Sequence, residues 1–241
     1  MENEIIKLKK IIQNSDNIVF FGGAGVSTES GIPDFRSADG LYSEKYDYPP
    51  EVILSYSFFM DHTEEFYDFY REKMLYPDAN PNNAHIALAK LEEQGKVKAV
   101  ITQNVDGLHT RAGSKNVLEL HGSALRNLCM KCKECYPIDT IIKSSGIPLC
   151  SCGGVLKPDV VLYEEVLDPA VMLKATRAIH NTDVLMIGGT SLNVYPAAGL
   201  INHYKGNKLI LINKSETPYD NYADLIIRES IGVTLGEVAK L

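Results

Sequence analysis

Residues 20–36 read FFGGAGVSTESGIPDFR and place a glycine-rich turn directly after a short apolar run. A turn of this kind, between a buried strand and a helix, lets the backbone approach the phosphates of a nucleotide. The dinucleotide fingerprint G-x-G-x-x-G is incomplete, because Thr28 stands where the third glycine belongs and Pro33 follows soon after. The acidic residue that an ordinary dehydrogenase carries roughly twenty residues further on is also missing. The stretch therefore predicts a nucleotide site of another kind.

Six short apolar runs elsewhere in the chain are typical of buried parallel strands. They cover residues 17–21, 98–102, 117–120, 183–187, 208–212 and 224–227. Helical patterns lie between some of them, for example over residues 83–94 and 169–180. This alternation predicts an α/β fold with a Rossmann-like, doubly wound parallel sheet.

Two segments interrupt the alternation. Residues 37–81 are rich in aromatic side chains and partly helical in pattern, and residues 122–156 hold all the cysteines. We expect these insertions to pack together as a smaller module within one catalytic domain that spans the chain. The large part then consists of residues 1–36, 82–121 and 157–241.

The composition narrows the class of protein. The chain has 241 residues, of which 45% are hydrophobic and 23% charged, as in an ordinary globular domain. A formal net charge of −7 argues against a protein that binds nucleic acid through its overall charge. Residues 1–17 contain no apolar run long enough for a signal peptide or a membrane span. We therefore expect a cytoplasmic protein that binds neither nucleic acid nor membrane.

The cysteines form a pattern of C-x2-C followed, after seventeen residues, by C-x-C. Two pairs of thiolates on tight turns close a tetrahedral zinc site with no open position, which is the arrangement of a structural zinc. The favoured ligands are Cys129, Cys132, Cys150 and Cys152. A first pair made of Cys132 and Cys135 satisfies the same spacing and stays open as an alternative.

Further segments carry a family resemblance. They read TQNVDGLH (102–109), HG (121–122), KPDVVLYEE (157–165), GTSL (189–192) and IN (212–213). Together with the glycine-rich turn and the cysteine pairs, and in this order, they resemble the sirtuin family of NAD-dependent protein deacylases over nearly the whole chain. The resemblance implies removal of acetyl groups from lysine side chains of proteins or peptides, with NAD as co-substrate and one structural zinc.

The resemblance also implies roles for individual residues. His121 would act as the general base, and Asn104 would support the ribose and its water. The implied contacts to NAD are Ala24, Gly25, Thr28, Phe35, Arg36, Gln103, Asn104, Val105, Asp106, His121, Gly189, Thr190, Ser191, Asn213 and Ile231. The implied contacts to the substrate peptide, which would add as a strand, are Val160, Val161, Leu162 and Tyr163.

Two rival functions stay open at this point. The same NAD pocket could serve transfer of ADP-ribose to a protein, although the presence of His121 favours deacylation with release of nicotinamide and O-acetyl-ADP-ribose. From another class, the chain could be a zinc-ribbon binding module with a degenerate nucleotide fold. An NAD-dependent deacetylation assay separates the three.

Two features bear on substrate choice. No arginine lies between Arg36 and Arg71, so we expect acetyl-lysine to be preferred over succinyl-lysine. Glu164 and Glu165 follow the peptide-binding segment, and their charge predicts a modest preference for basic residues near the target lysine.

Overall fold

The computed structural model describes residues 2–35, 37, 40–41 and 46–239. Its strands, in chain order, are β1 Ile18–Gly22, β2 Val97–Thr102, β3 Val117–Glu119, β4 Gly122–Cys129, β5 Cys135–Pro137, β6 Leu156–Val160, β7 Val184–Gly188, β8 Lys208–Ile212 and β9 Leu225–Ile227. Its α-helices are α1 Glu2–Gln13, α2 Pro50–Ile53, α3 Tyr56–Asp61, α4 Thr63–Lys73, α5 Asn83–Glu93, α6 Leu108–Arg111, α7 Ile138–Lys143, α8 Pro169–Asn181 and α9 Ile231–Val238. Among the described residues, none of these helices combines the length and the apolarity that a bilayer crossing needs.

The main sheet has six strands in the order β3-β2-β1-β7-β8-β9, and every neighbouring pair is parallel. All residues of β1 and β7 are buried, as continuous apolar strands in the centre of such a sheet should be. The six predicted runs coincide with these strands to within one residue at each end. The doubly wound parallel fold is therefore confirmed, with β1 as the strand at which the strand order reverses.

Hydrophobic residues cover both faces of this sheet. On one face, Phe20 and Met186 of the strands pack with Leu88 of α5 and Leu235 of α9. The opposite face has its own buried cluster, which includes Ile179 of α8. Because both faces are closed, a ligand can reach the sheet only along its edges or at the ends of its strands.

A smaller antiparallel sheet, in the order β5-β4-β6, carries the cysteine segment. It shares a third buried cluster with the aromatic side chains of the helical insertion, among them Phe59, Phe66, Tyr67 and Tyr70. Residues 157–160 pair with β4 in this sheet, whereas the sequence-based division assigned them to the large part. The division into a large part and a small module as a whole stays a prediction.

The glycine-rich turn differs from the expected start of an α-helix. Two short 3-10 turns, Ala24–Val26 and Thr28–Ser30, follow β1 instead. Gly31 then adopts a left-handed conformation with a φ of 84°, and Pro33 lacks the amide that a continuing helix would need. The chain consequently leaves the sheet as a loop.

Candidate active site

A cavity of about 680 Å³ lies at the carboxyl ends of the central strands. Ala24 follows β1, Gln103 follows β2, Gly189 follows β7 and Asn213 follows β8, and all four line the cavity. It is also lined by the predicted residues Gly25, Phe35, Asn104, Val105, Asp106, His121, Val160, Val161, Leu162, Tyr163, Thr190 and Ser191. The structure thus brings nearly all of the predicted NAD and peptide residues to one place.

Three predicted residues are not among those that line the cavity. The Thr28 hydroxyl donates to the carbonyl of Gly25 (3.0 Å), and its side chain is exposed at the surface. Ile231 is buried in the core at the start of α9. Arg36 lies outside the described residues, so its predicted role is not addressed.

The turns after β1 and β7 pack directly against each other. The amide of Gly25 donates to the carbonyl of Gly189 (2.8 Å). A Cβ added to Gly25 would lie 2.8 Å from the Cα of Gly189, which is closer than real Cβ atoms come. Because only glycine permits this approach, the two turns pack backbone against backbone and form a cradle that lines the cavity. Such a cradle suits a phosphate group.

Ser27 joins the two polar residues of the loop after β2. Its hydroxyl donates to Oδ2 of Asp106 (2.6 Å) and accepts from the Asn104 side-chain amide (3.0 Å). The other carboxylate oxygen of Asp106 accepts from the amide of Leu108 (2.8 Å). Asn104 and Asp106 are therefore fixed in position before any ligand binds. Ser27 was not among the predicted site residues, although a hydroxyl residue two positions after Gly25 in a glycine-rich turn is a recognisable signal.

His121 lies two residues after the end of β3 and immediately before β4. Its Nδ1 lies 3.0 Å from the carbonyl oxygen of Gln103. A carbonyl can only accept, so Nδ1 carries the proton and Nε2 of the neutral ring keeps its lone pair. Burial lowers the pKa of His121 below its ordinary value, and the hydrogen bond to Gln103 offsets part of this shift. The ring is therefore neutral and able to accept a proton at neutral pH.

The position directly after His121 requires a glycine, Gly122. Its φ is 77°, and a Cβ at this position would lie 2.0 Å from the carbonyl oxygen of Asp159 in β6. Beside it, the carbonyl of His121 accepts from the amide of Val161 (3.0 Å). The backbone of His121 is thus joined to the segment predicted to bind the peptide.

Two further histidines, His85 and His109, are buried next to each other beside the loop that follows β2. The rings of His85 and His109 lie 4.7 Å apart, and both residues are almost fully buried. Nδ1 of His85 accepts from the amide of Asn82, at the start of α5. Burial, together with the neighbouring His85, lowers the pKa of His109 to about 3. Burial also lowers the pKa of His85, and Asp106 partly opposes this shift. Both rings are neutral in the folded protein near neutral pH.

We predict that acid weakens the fold through this pair. Below pH about 6.5 a histidine of the unfolded chain takes up a proton, whereas buried His109 does not. The free energy of unfolding should therefore fall, by up to about 1.4 kcal/mol per pH unit for each such histidine, between pH about 6.5 and 5. Denaturant unfolding at several pH values measures this slope. His109→Leu should flatten it, with His180→Leu, at an exposed position, as the matched control. An unchanged slope in His109→Leu would contradict the prediction.

The segment predicted to bind the peptide, residues 160–163, is more constrained than the sequence indicated. The amide of Val161 donates to His121, that of Leu162 to the carboxylate of Glu165 (2.9 Å), and that of Tyr163 to the carbonyl of Leu54 (3.0 Å). The carbonyl of Leu162 accepts from the amide of Glu165 (3.1 Å), and that of Tyr163 accepts from the amide of Tyr56 (3.0 Å). Among the described residues, the carbonyl of Val161 has no such partner and can pair with a peptide strand.

The carboxylates of Glu164 and Glu165, which follow this segment, also form bonds within the chain. Glu165 forms an ion pair with Lys157 (2.8 Å), and both oxygens of the Glu164 carboxylate accept from Ser57. Lys157 offsets the charge of Glu165, whereas the neutral donors of Ser57 leave Glu164 its negative charge, so the preference for basic flanking residues stays a prediction.

The cysteine segment forms a compact cluster. The sulfur atoms of Cys129, Cys132, Cys150 and Cys152 all lie within 4.8 Å of one another. Backbone amides of the turns point at the sulfurs, for example the amide of Cys132 at Cys129 (3.4 Å). These distances fit four thiolates around one tetrahedral ion, so the cysteines are positioned to bind a zinc ion. Cys135 is not part of the cluster, which favours the first of the two pairings considered from the sequence.

Comparison with known proteins agrees with this site. The sequence profile of the Sir2 family matches residues 23–196. The chain is 62% identical to an NAD-dependent protein deacetylase of Clostridium acetobutylicum over 240 residues, which is 98% of each chain. It is also 62% identical to the protein of the same description from Clostridium perfringens, over 99% of each chain.

Solved structures give the same result. A structure determined for the mechanism and regulation of Sir2 enzymes superposes with a TM-score of 0.89 at 43% identity, covering 100% of this chain and 98% of that one. A complex of Sir2 with a p53 peptide and NAD+ superposes with a TM-score of 0.86 at 39% identity, covering 97% and 96%. With the fold, the cavity and the cysteine cluster already described, these matches show that the chain belongs to the Sir2 family.

Proposed function

We propose that this protein removes acetyl groups from lysine side chains of proteins and consumes one NAD in each turnover, with release of nicotinamide and O-acetyl-ADP-ribose. The observation that carries the proposal is the position of His121. Its ring lines the cavity, its Nδ1 donates to Gln103 and its Nε2 is left as the acceptor. A general base held in this way, beside a nucleotide cradle, is what the reaction requires.

The cavity fits NAD in two respects. The cradle of Gly25 and Gly189 lines the cavity with backbone, which a pyrophosphate can approach closely. Gln103 also lines the cavity, and a side-chain amide is a group that can hydrogen-bond a ribose hydroxyl. Bound NAD supplies a ribose carbon that loses nicotinamide and accepts the acetyl oxygen.

The residues of the chain then have distinct tasks. Asp106 accepts from the nicotinamide carboxamide with the lone pairs that Ser27 and Leu108 leave free. Asn104, held by Ser27, orients the ribose and its water. His121 takes the proton from a ribose hydroxyl through Nε2. Because these groups are fixed by bonds within the chain, little reorganisation is needed when the substrates bind.

The direct test is mass spectrometry of an acetyl-lysine peptide incubated with the purified protein, with and without NAD. The proposal expects loss of the acetyl group only when NAD is present. Transfer of ADP-ribose to the peptide or to the protein itself, with the acetyl group retained, would refute it in favour of ADP-ribosyl transfer. Binding without turnover would favour a binding module.

We predict that acetyl-lysine is turned over much faster than succinyl-lysine. Val105, Ala124, Val160 and Leu162 form an apolar wall of the cavity, and a carboxylate placed against it would lose hydration without compensation. The guanidinium of Arg111, which also lines the cavity, already donates to Ala79 and Asn80.

Matched acetyl and succinyl peptides measure the ratio of kcat/KM, which we expect to exceed roughly tenfold, since leaving a polar group without a partner costs about 1–3 kcal/mol. Comparable rates on the two peptides would contradict the prediction. If the rates are comparable, the variant Lys73→Met shows whether the Lys73 ammonium binds the succinyl carboxylate. This ammonium lies 3.2 Å from Glu72, and Lys73 lines the cavity.

The proposed partners are acetylated proteins, and the proposed place of action is the cytoplasm. A cluster of four cysteines suited to zinc supports a reducing compartment, because zinc is held by thiolates and not by disulfides. The net charge of −7 supports protein and not nucleic acid as the substrate.

A further inference from the structure

The rim of the cavity contains a strained turn. Glu164 adopts a left-handed conformation with a φ of 76°. Residues other than glycine are destabilised in this conformation, because their Cβ approaches the backbone carbonyl oxygen. A residue of this kind persists where the surroundings hold it, and such positions cluster at functional sites. Glu164 and the residues on either side of it line the cavity.

The side chain of Glu164 supplies the restraint. Its Oε2 accepts from the backbone amide of Ser57 (2.9 Å), and its Oε1 accepts from the Ser57 hydroxyl (2.9 Å). Ser57 is the second residue of α3, where the amides have no partner within the helix. The Ser55 hydroxyl caps the next amide, that of Phe58.

The backbone beside Glu164 is attached to the same place. The amide of Tyr163 donates to Leu54, and the carbonyl of Tyr163 accepts from the amide of Tyr56 (3.0 Å). Residues 163 and 164 are therefore joined to residues 54–57, between the end of α2 and the start of α3, by four hydrogen bonds, two of the backbone and two to the Glu164 carboxylate. On the other side, Val161 is joined to His121. The short stretch between them connects the general base to the helical insertion.

We infer that Glu164 is a positioning residue for the acylated peptide. By holding Ser57, it keeps the turn in the left-handed conformation and so sets the direction of the Val161 carbonyl, whereas the Leu162 carbonyl already accepts from the amide of Glu165 (3.1 Å). This inference rests on the proposed function and specifies how its peptide site is built. Glu164 acts on this carbonyl through its two hydrogen bonds to Ser57, which a neutral side chain of the same shape can also make.

Four variants distinguish three contributions of Glu164: its hydrogen bonds to Ser57, the strain of its left-handed backbone, and its negative charge. Glu164→Ala keeps the strain and loses both hydrogen bonds, so we expect KM for the peptide to rise about tenfold or more. Glu164→Gly loses the bonds but relieves the strain, so its effect should be smaller. Glu164→Gln can accept from the Ser57 amide and donate to the Ser57 hydroxyl, so it should restore most of the affinity. Ser57→Ala removes one of the two hydrogen bonds, so its KM for the peptide should lie between those of Glu164→Gln and Glu164→Ala.

The split between kinetic constants distinguishes positioning from general damage. KM for NAD should stay nearly constant in all four variants, because the cradle of Gly25 and Gly189 lies on other elements. Glu93→Ala, at an exposed position at the end of α5, controls for the loss of one negative charge. A Glu164→Gln protein that behaves like Glu164→Ala would overturn the inference, since charge and not the pair of hydrogen bonds would then matter.

A second readout does not depend on activity. Hydrogen exchange of the free protein reports the amide of Ser57, which should exchange faster in Glu164→Ala and Glu164→Gly than in the parent and in Glu164→Gln. If the parent protein fails to deacetylate any peptide, the proposed function fails while the exchange data still test the restraint. If the parent is active, an unchanged peptide KM in Glu164→Ala overturns the inference, and so does unchanged exchange of the Ser57 amide.

Discussion

Replacing His121 with alanine is expected to lower kcat for deacetylation by about a hundredfold to ten-thousandfold, the range typical of a lost general base. The imidazole is the group at the cavity whose neutral form is set up to accept a proton, because Nδ1 is held by the Gln103 carbonyl. The variant should still fold, since His121 is only partly buried and its backbone bond to Val161 remains available. Steady-state kinetics with saturating NAD and acetyl-lysine peptide give the result.

Binding of NAD is the control for this variant. The cradle after β1 and β7 does not involve the imidazole, so the dissociation constant for NAD in His121→Ala should change by less than about tenfold, a difference of 1.4 kcal/mol. His180→Ala, on the exposed end of α8, controls for the loss of a histidine elsewhere. Turnover of His121→Ala within a few fold of the parent would remove His121 from the mechanism.

Loss of the metal should have the second large effect. Cys129→Ser is expected to reduce bound zinc from about one ion per chain to nearly none, because three thiolates do not close a four-coordinate structural site. Structural zinc in small domains contributes apparent binding free energies of about 10–16 kcal/mol. Cys129 ends the longest strand of the small sheet and is fully buried, so its loss should also melt that sheet. Metal analysis and thermal unfolding measure the two effects.

Cys135→Ser is the matched control, because this cysteine lies in β5 outside the cluster. It should keep its zinc and nearly the parent melting temperature. A zinc-free Cys135→Ser protein would show that the pair Cys132 and Cys135 holds the ion, contrary to the arrangement of the sulfur atoms. Retention of zinc by Cys129→Ser would contradict the four-thiolate site as well.

Much of this architecture could be predicted because it follows from local patterns. Each strand of the main sheet is a short apolar run, and burial on both faces requires such a run. The order of polar segments after these strands also placed Gln103, His121, Gly189 and Asn213 at one edge, since the carboxyl ends of parallel strands meet there. The cysteine cluster could be predicted for the same reason, as its spacing is itself local.

The remaining features depend on contacts between distant parts of the chain. Ser27 and Asp106 are 79 positions apart. No periodicity in the sequence marks a single buried serine as the residue that holds Asn104 and Asp106 in place. Glu164 was read as a free charge, because its bond to Ser57 spans 107 positions. Thr28 was placed at the nucleotide by its position in the motif, whereas the 3-10 turn directs it to solvent.

The ratio of products tests the central claim most directly. In a single reaction with an acetyl-lysine peptide and NAD, free nicotinamide, free lysine peptide and O-acetyl-ADP-ribose can be counted together. The account predicts one of each per NAD consumed, with no product formed when NAD is withheld. Nicotinamide released without deacetylated peptide, or deacetylation that proceeds without NAD, would contradict it.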